Sequence, residues 1–384
     1  MLFTIIIFFL VLSVLVFAHE LGHFYTARRF GVKAEEFGFG LPPRIFGFYK
    51  NNEGKWVKVW GAKDVIDAPK TVYSLNWLPI GGFVKIRGEN GDSNEKDSFT
   101  QKKIWQRAVM LSAGVSMNMI LAIIFFIICL AIGMPQSLDG ISSKAHISDR
   151  QIEIMSVLPG SPAEKAGIKA GDVIQKINDN NFNNYADLQT YVDKNTGKDL
   201  TYKLKRGDKE VVQKVKPEII KETGKGGIGV AILETGMVRY PWYLAIWEGI
   251  KMTFLITWAI IVAFSDLIKN LIIGHGLNAE LAGPIGIAAM TGQFARLGLV
   301  RLMQFVAMLS INLAILNFLP FPALDGGRVL FLLIEKIKGK PVKREIEGII
   351  HTIGFALLMA LVILVTYKDI ARLQFVKNLF SNLF

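Results

Sequence analysis

Four long apolar runs constrain this chain more than any other feature of its sequence. They cover residues 2–18, 104–133, 302–319 and 349–367. Each run approaches the roughly 20 residues that a helix needs to cross about 30 Å of hydrocarbon. The chain is also 51% hydrophobic, which is more than a soluble domain of this size usually carries. We therefore predict an α-helical polytopic membrane protein with four transmembrane helices.

A fifth apolar stretch, residues 242–273, is harder to interpret. Among its Trp, Phe and Ile residues it carries the charged side chains Glu248, Lys251, Asp266 and Lys269. Charges within an apolar stretch are typical of amphipathic helices at the membrane interface. We expect this stretch to lie on the membrane surface or to form a re-entrant hairpin, and not to cross as one span.

The segments between the apolar runs predict two further regions. Residues 29–103 alternate apolar and aromatic residues with Gly and Pro, which indicates short strands and turns. Residues 135–235 have mixed charge and strand-like alternation, which indicates one small αβ domain. The expected order is transmembrane helix 1 (1–28), a membrane-associated loop and β-hairpin (29–103), transmembrane helix 2 (104–134), the inserted domain (135–235), interfacial or re-entrant helices (236–300), a broken transmembrane helix 3 (301–336), transmembrane helix 4 (345–368) and a tail (369–384).

The net charge of +12 is explained by where the basic residues lie. Two loops next to the apolar runs hold clusters of them: Arg28, Arg29, Lys102, Lys103 and Arg107 in one, and Lys336, Lys338, Lys340, Lys343 and Arg344 in the other. Loops rich in Lys and Arg stay in the cytoplasm. We therefore expect both loops in the cytoplasm and the inserted domain outside the cytoplasmic membrane, and no nucleic-acid partner is needed to explain the charge.

The sequence HELGH at residues 19–23 predicts a catalytic zinc site. His19 and His23 are four residues apart, so a helix places both on one face, with Glu20 beside them. Catalytic zinc takes three protein ligands and lowers the pKa of water toward 7, and a neighbouring carboxylate can accept the proton. The alternative is a pair of histidines that caps a membrane helix. It is weaker, because ionisable groups within a span are costly and usually functional.

The third ligand is predicted in NFLPFPALDGGR, residues 317–328, which follows the third apolar run. Its two prolines should break the helix there. Residues 2–18 and 302–319 correspond to roughly 26 and 27 Å of helix, so parallel helices would bring His19 and Asp325 to similar depth near the cytoplasmic face. The alternative is that Asp325 is a turn residue before Gly326 and Gly327.

These paired motifs resemble the site-2 protease family of intramembrane zinc metalloproteases, especially its bacterial sigma-E regulators. The resemblance implies zinc (Zn²⁺) held by His19, His23 and Asp325, with Glu20 as general base. It implies that Asn317 contacts the substrate or steadies the oxyanion, although an amide satisfying the broken backbone is the alternative. The implied substrates are single-span membrane proteins in the lipid bilayer, such as a pre-clipped anti-sigma factor or remnant signal peptides.

Two further segments carry the resemblance. Residues 159–179 resemble part of a PDZ domain, and the sequence has one such segment where many relatives have two. The resemblance implies that this domain binds substrate C-termini, and the alternative is that it acts only as a spacer. Residues 38–40 (GFG) and 77–86 (WLPIGGFVKI) resemble the family's membrane-associated loop and hairpin. We predict that residues 77–87 offer a strand edge to the unwound substrate, with the substrate-binding residues Gly81, Gly82, Phe83 and Val84.

Two functions of other classes compete with this interpretation. One is a PDZ-bearing membrane scaffold with a structural metal, but structural zinc needs four closed ligands, and this sequence offers three and a base. The other is a transporter, in which broken helices and buried acids also occur. The sequence has no evident inverted repeat to support a transporter.

Overall fold

The structure, a computed structural model, describes residues 2–61, 65, 68–89, 95–182, 184–207, 209–220, 224–274 and 283–372. The chain divides into two compact units. The first comprises Met1–Ile127 and Glu248–Phe384, and the second comprises Ile128–Trp247. Most of the predicted tail (369–384), and His275 among the histidines, lie outside the described residues.

The described residues form nine α-helices and eleven strands. The helices are α1 (Leu2–Arg29), α2 (Ile104–Ile132), α3 (Pro162–Lys165), α4 (Tyr185–Lys194), α5 (Trp242–Ile273), α6 (Pro284–Arg296), α7 (Leu299–Phe318), α8 (Asp325–Lys338) and α9 (Arg344–Arg372). The strands are β1 (Ala34–Lys50), β2 (Trp56–Trp60), β3 (Val72–Ile86), β4 (Met134–Ser137), β5 (His146–Val157), β6 (Val173–Ile177), β7 (Leu200–Arg206), β8 (Lys209–Val215), β9 (Glu218–Ile219), β10 (Gly226–Gly227) and β11 (Val230–Arg239).

Five of the described helices are long and apolar enough to cross a membrane. They are Leu2–Arg29, Ile104–Ile132, Trp242–Asn270, Leu299–Phe318 and Glu345–Ala371. Their outward surfaces carry large apolar side chains, among them Phe3, Trp258 and Ile363, as lipid-facing helices require. An α-helical protein able to cross the membrane several times is therefore confirmed, while the count of four crossings stays a prediction.

The prediction of a re-entrant hairpin at residues 242–273 is wrong, because α5 is one unbroken helix of 32 residues. It runs antiparallel to α2, with Gly249 against Ile127 and the Thr257 hydroxyl 4.0 Å from the Met119 sulfur. Its charges lie near its two ends and leave an apolar centre. By length and composition α5 is thus a fifth candidate span.

Helices α1, α2 and α7 form the core of the first unit. Val11 and Leu15 of α1 pack with Val306 of α7, and Ile7, Leu121, Phe125, Leu302, Leu309 and Leu313 surround them. Gly22 lets α1 approach α2 closely, since a Cβ there would lie 2.3 Å from the Ala113 carbonyl oxygen. Helices α1 and α7 run in the same direction, so the end of α7 reaches the turn of α1 that holds HELGH.

Two long bent strands build the sheet of this unit. β1 pairs with β3 twice: Phe37, for example, lies opposite both Val84 and Tyr73. The second half of β1 also pairs with β2. The segments therefore lie in the order 82–86, 34–39, 72–76, 44–50 and 56–60. Among the described strands, residues 82–86 form one edge of this sheet.

The second unit contains a six-stranded antiparallel sheet of order β4-β11-β5-β6-β7-β8. Its core includes Ile154, Tyr202 and Leu204, and α4 adds Leu188 and Val192. Burial raises the pKa of the Tyr202 hydroxyl.

An ion pair between buried Asp172 and half-buried Arg206 ties two strand ends of the second unit together. Asp172 accepts hydrogen bonds from Nε and Nη2 of Arg206, at 2.6 and 2.7 Å, and from the Lys169 amide, at 2.9 Å. Burial alone would raise the pKa of Asp172, but these hydrogen bonds and the guanidinium charge outweigh it and lower that pKa. Asp172 is therefore a buried carboxylate that folding holds in its charged form.

Candidate metal centre and active site

Helix α1 places the two histidines of HELGH on one buried face. The Nε2 atoms of His19 and His23 lie 3.2 Å apart, and the two residues are only 7% and 8% exposed. Two ring nitrogens this close, with little water around them, are arranged to share one cation.

Asp325, the first residue of α8, meets these histidines. Its Oδ2 lies 3.0 Å from Nε2 of His19 and 3.4 Å from Nε2 of His23. The loop before it is strained, because Ala323 has φ of 73°, which non-glycine residues rarely adopt. The Ala323 amide donates a 2.8 Å hydrogen bond to Nδ1 of His351 on α9, which holds the loop in this conformation.

The two glycines after Asp325 are needed for this close packing. A Cβ at Gly326 would lie 2.3 Å from the carbonyl oxygens of Leu319 and Phe318, and one at Gly327 would lie 2.3 Å from that of Phe321. Backbone atoms cannot yield to such overlaps. The sequence DGG thus lets α8 start directly against the end of α7, with the carboxylate in the site.

The three donor atoms fit a zinc ion. Ligand atoms about 2.0–2.1 Å from a tetrahedral zinc lie about 3.3 Å from one another, and the separations in this site are 3.2, 3.0 and 3.4 Å. Gly114 of α2 packs directly against the two ring nitrogens. A Cβ at Gly114 would lie 2.4 Å from Nε2 of His23 and 2.6 Å from Nε2 of His19, so any side chain at this position would displace both rings.

Glu20 and β3 lie side by side next to the donors. The Glu20 carboxylate interacts electrostatically with His19, His23 and Asp325. A Cβ at Gly82 would lie 3.2 Å from Cβ of Glu20, so the strand touches this residue directly.

Ser13 fixes β3 against α1. Its hydroxyl donates to the Pro79 carbonyl at 3.0 Å and accepts from the Gly81 amide at 3.2 Å. Phe83 and Val84 follow in the strand, opposite Gly38 and Phe37 of β1. The structure thus brings the predicted glycines to α1, and it places Phe83 and Val84 in the edge segment that continues from them.

Asn317 makes no hydrogen bond to the three donor residues within the described part of the chain. It lies in the last turn of α7 and is partly exposed. Among the described residues its side chain makes no hydrogen bond, so its role at the site stays a prediction.

The sequence interpretation missed three residues of α2 that contact the histidines. The Met110 carbonyl lies 2.9 Å from Nδ1 of His23, Gly114 faces both Nε2 atoms, and the Asn118 amide lies 3.2 Å from Nδ1 of His19. They are spaced by four residues, so they form one stripe of the helix. The available signal was a Gly and an Asn, four positions apart, inside an apolar run.

Comparison with known proteins identifies the family. The family model of peptidase family M50 matches residues 7–60 and 64–361. The chain belongs to peptidase family M50. It is therefore a zinc metalloendopeptidase of the site-2 protease type, and the family, the enzyme class and the metal predicted from the sequence are confirmed. M50 peptidases of this type act on membrane proteins within the bilayer.

Curated M50 relatives match almost the whole chain. A protein of Clostridium perfringens named as a zinc metalloprotease is 35% identical over 95% of this chain and 98% of its own length. The regulator of sigma-W protease RasP of Bacillus subtilis is 32% identical over 96% of this chain and 99% of its own length.

Part of the chain also aligns with solved PDZ domains. The PDZ domain of an SdrC-like protein from Listeria monocytogenes is 27% identical, covers 23% of this chain and 92% of that domain, and has a TM-score of 0.21. A score at this level does not establish a shared fold, so the PDZ-like assignment stays a prediction.

Proposed function

We propose that this M50 peptidase cuts single-span membrane proteins within or near their transmembrane segments, with His19, His23 and Asp325 as zinc ligands and Glu20 as general base. One observation carries the proposal: two imidazoles on an apolar helix long enough to span and a carboxylate at the start of α8 place three donor atoms at tetrahedral spacing. Acidic and imidazole groups at such a position are costly unless they serve a function.

The proposed chemistry assigns a task to each side chain. The two imidazoles and the carboxylate hold the ion, which when bound supplies Lewis acidity that lowers the pKa of water and polarises a peptide carbonyl. Glu20 accepts the proton of the attacking water and returns it to the leaving amine. Its place between the ligands and β3 favours this task, because β3 borders the space in which a peptide would lie.

The edge of β3 is the proposed binding strand for the substrate. A helical peptide bond is shielded by its own hydrogen bonds, so the substrate must be extended before it is cut. Residues 82–86 pair with β1 on one side and adjoin Glu20 through Gly82. Main-chain pairing with this edge would hold an extended segment without demanding one sequence.

The basic residues favour one orientation. Arg28 and Arg29 end α1 just beyond the site, and Lys102 and Lys103 precede α2 at the same end. By the positive-inside rule this end faces the cytoplasm. The site would then lie near the cytoplasmic face of the bacterial inner membrane, and the chain between α2 and α5 would be extracytoplasmic. A pre-clipped anti-sigma factor or a remnant signal peptide would be a suitable substrate.

The variant Glu20→Gln tests the catalytic proposal. It keeps the size and polarity of the side chain but removes the base, so we expect zinc content to stay at the wild-type level and cleavage of a single-span reporter to stop. His23→Ala is the matched variant that should lose zinc as well. Cleavage by Glu20→Gln at the wild-type rate would refute the assignment of Glu20.

The second unit is proposed to bind substrate C-termini. A cavity of about 660 Å³ lies between α4 and β11, and its lining includes Leu188, Gln189, Val192, Ile228, Val230 and Ile232. β11 pairs with β5 along its length but with β4 only from Thr235 to Val238. Among the described strands, nothing pairs with the other side of residues 230–233, so these residues present an open edge beside the cavity. A peptide could add there as a strand, with an apolar side chain in the cavity.

Binding to the intact protein in detergent tests this second proposal. We expect a peptide with a free, apolar C-terminus to bind, and the same peptide with an amidated C-terminus to bind much more weakly. If both peptides bind equally, or neither binds, the unit does not recognise C-termini and a spacer role is favoured.

A further inference from the structure

Both histidines of the site are contacted through their second ring nitrogen by α2. Nδ1 of His23 faces the Met110 main-chain carbonyl at 2.9 Å, and Nδ1 of His19 faces the Asn118 side-chain amide at 3.2 Å. His23 thus depends on the backbone, whereas His19 depends on a side chain that can be replaced.

Asn118 is unusual for its surroundings. It is fully buried and lies in the middle of an apolar helix with no charged residue between Val109 and Ile132. A buried amide is costly unless it is hydrogen-bonded. Its main chain is also held, because the Ser310 hydroxyl of α7 donates a 2.8 Å hydrogen bond to the Asn118 carbonyl. Residue 118 is therefore held by α7 through its main chain and contacts α1 through its side chain.

The tautomer of His19 gives this contact a role. A neutral imidazole that binds a cation through Nε2 carries its proton on Nδ1, which must then donate to an acceptor. The amide of Asn118 can supply that acceptor, since a half-turn about its terminal bond exchanges Oδ1 and Nδ2. Oδ1 has no hydrogen-bond partner among the described residues, so it is available for Nδ1–H.

We infer that Asn118 is a positioning residue of the metal site, which accepts a hydrogen bond from Nδ1–H of His19 and so keeps Nε2 free to bind zinc. The inference rests on the proposed function, in which His19 is a zinc ligand. It predicts that the acceptor character of residue 118 determines zinc affinity, independently of any substrate.

Two substitutions separate an acceptor role from simple packing. Asn118→Leu keeps the branched shape of the side chain but removes the acceptor, whereas Asn118→Asp keeps an acceptor oxygen at the same position. Ser116→Ala is the matched control, because Ser116 lies on the exposed side of the same helix and bonds only to the Ser112 carbonyl among the described residues.

The measurement is zinc affinity of the purified full-length protein in detergent, by competition with a chelator, with circular dichroism as the check of folding. We expect Asn118→Leu to bind zinc about 10–100-fold more weakly, as loss of an outer partner of a ligand typically does. Asn118→Asp and Ser116→Ala should stay within a few-fold of wild type. If Asn118→Leu does not fold, the zinc affinity of Asn118→Asp alone tests the inference.

Three results would overturn the inference: wild-type zinc affinity in Asn118→Leu, equal losses in folded Leu and Asp variants, or a loss of tenfold or more in Asn118→Asp. The variant His19→Ala separates this failure from that of the proposed function. If His19→Ala retains full zinc affinity, the ligand assignment itself is wrong. If His19→Ala loses zinc but Asn118→Leu does not, only the role of Asn118 is refuted.

Discussion

Gly114→Ala should remove zinc from the site while leaving the helix intact. The new Cβ would lie 2.4 Å from Nε2 of His23 and 2.6 Å from Nε2 of His19, whereas ordinary contacts begin near 3.4 Å. Relief of this overlap requires the rings to move by about 1 Å, well beyond the roughly 0.2 Å within which metal–ligand distances hold. Both nitrogens would lose their positions together.

The expected loss is at least about 100-fold in zinc affinity, or about 2.8 kcal/mol, because the change displaces two ligands and not merely an outer partner. The fold should survive, since alanine favours a helix over glycine by about 1 kcal/mol. Zinc affinity by chelator competition and the melting temperature, measured on the same preparation, distinguish these effects.

Gly348→Ala is the control for this experiment. Gly348 also lies within a candidate spanning helix, α9, but a Cβ there would meet no heavy atom within 4 Å. We expect wild-type zinc affinity and a similar or higher melting temperature. Wild-type zinc affinity in Gly114→Ala would mean that the packing of α2 against the two rings does not fix the proposed ligand atoms, and the reasoning from this close contact would be wrong.

Two other perturbations test parts of the molecule away from the ligands. Ser13→Ala leaves the buried Gly81 amide and the Pro79 carbonyl without their partner, at a cost of about 1–3 kcal/mol, so reporter cleavage should fall while zinc content is unchanged; full activity would show that β3 does not need this anchor. The lowered pKa of Asp172 means that its charged form stabilises the second unit above the ordinary aspartate pKa of about 3.9, and that this stability is lost as pH falls further through the lowered value. Calorimetry of the intact wild-type protein should show this loss as a melting temperature that falls with pH. The variant Asp172→Asn should melt at a lower temperature already at pH 7, and its melting temperature should lack the part of the pH dependence that comes from Asp172. Identical melting temperatures of the two proteins at pH 7 would contradict this role of Asp172.

The three residues that the structure brings together as candidate ligands could be picked out from the sequence, because their signals are local. The two histidines of HELGH are four residues apart on one helix, and Asp325 lies in a short motif at a helix end, so each half of the site needed little knowledge of the fold. Parallel helices of similar length then suggested that the halves meet. The contribution of α2 was not predictable in this way, because Met110 acts through its main chain and Gly114 through the absence of a side chain.

The sheet and α5 show two other limits of the sequence. The alternation in residues 29–103 indicated short strands, but it contained no sign that β1 and β3 bend and pair twice, since that register depends on contacts between distant segments. In α5, the charges at Glu248 and Asp266 suggested an interrupted segment. They lie near the two ends of a continuous helix, where charged side chains can reach the membrane surface.

The second unit begins and ends at one place. β4, which follows α2, pairs with the end of β11, which precedes α5: Met134 lies opposite Val238, and the Tyr240 amide donates to the Leu130 carbonyl at 2.9 Å. Because the two ends of the second unit lie close together, the length of this unit does not determine the separation between α2 and α5, which it connects. The second unit could therefore be exchanged, duplicated or removed without a change in the helices that carry the proposed metal site.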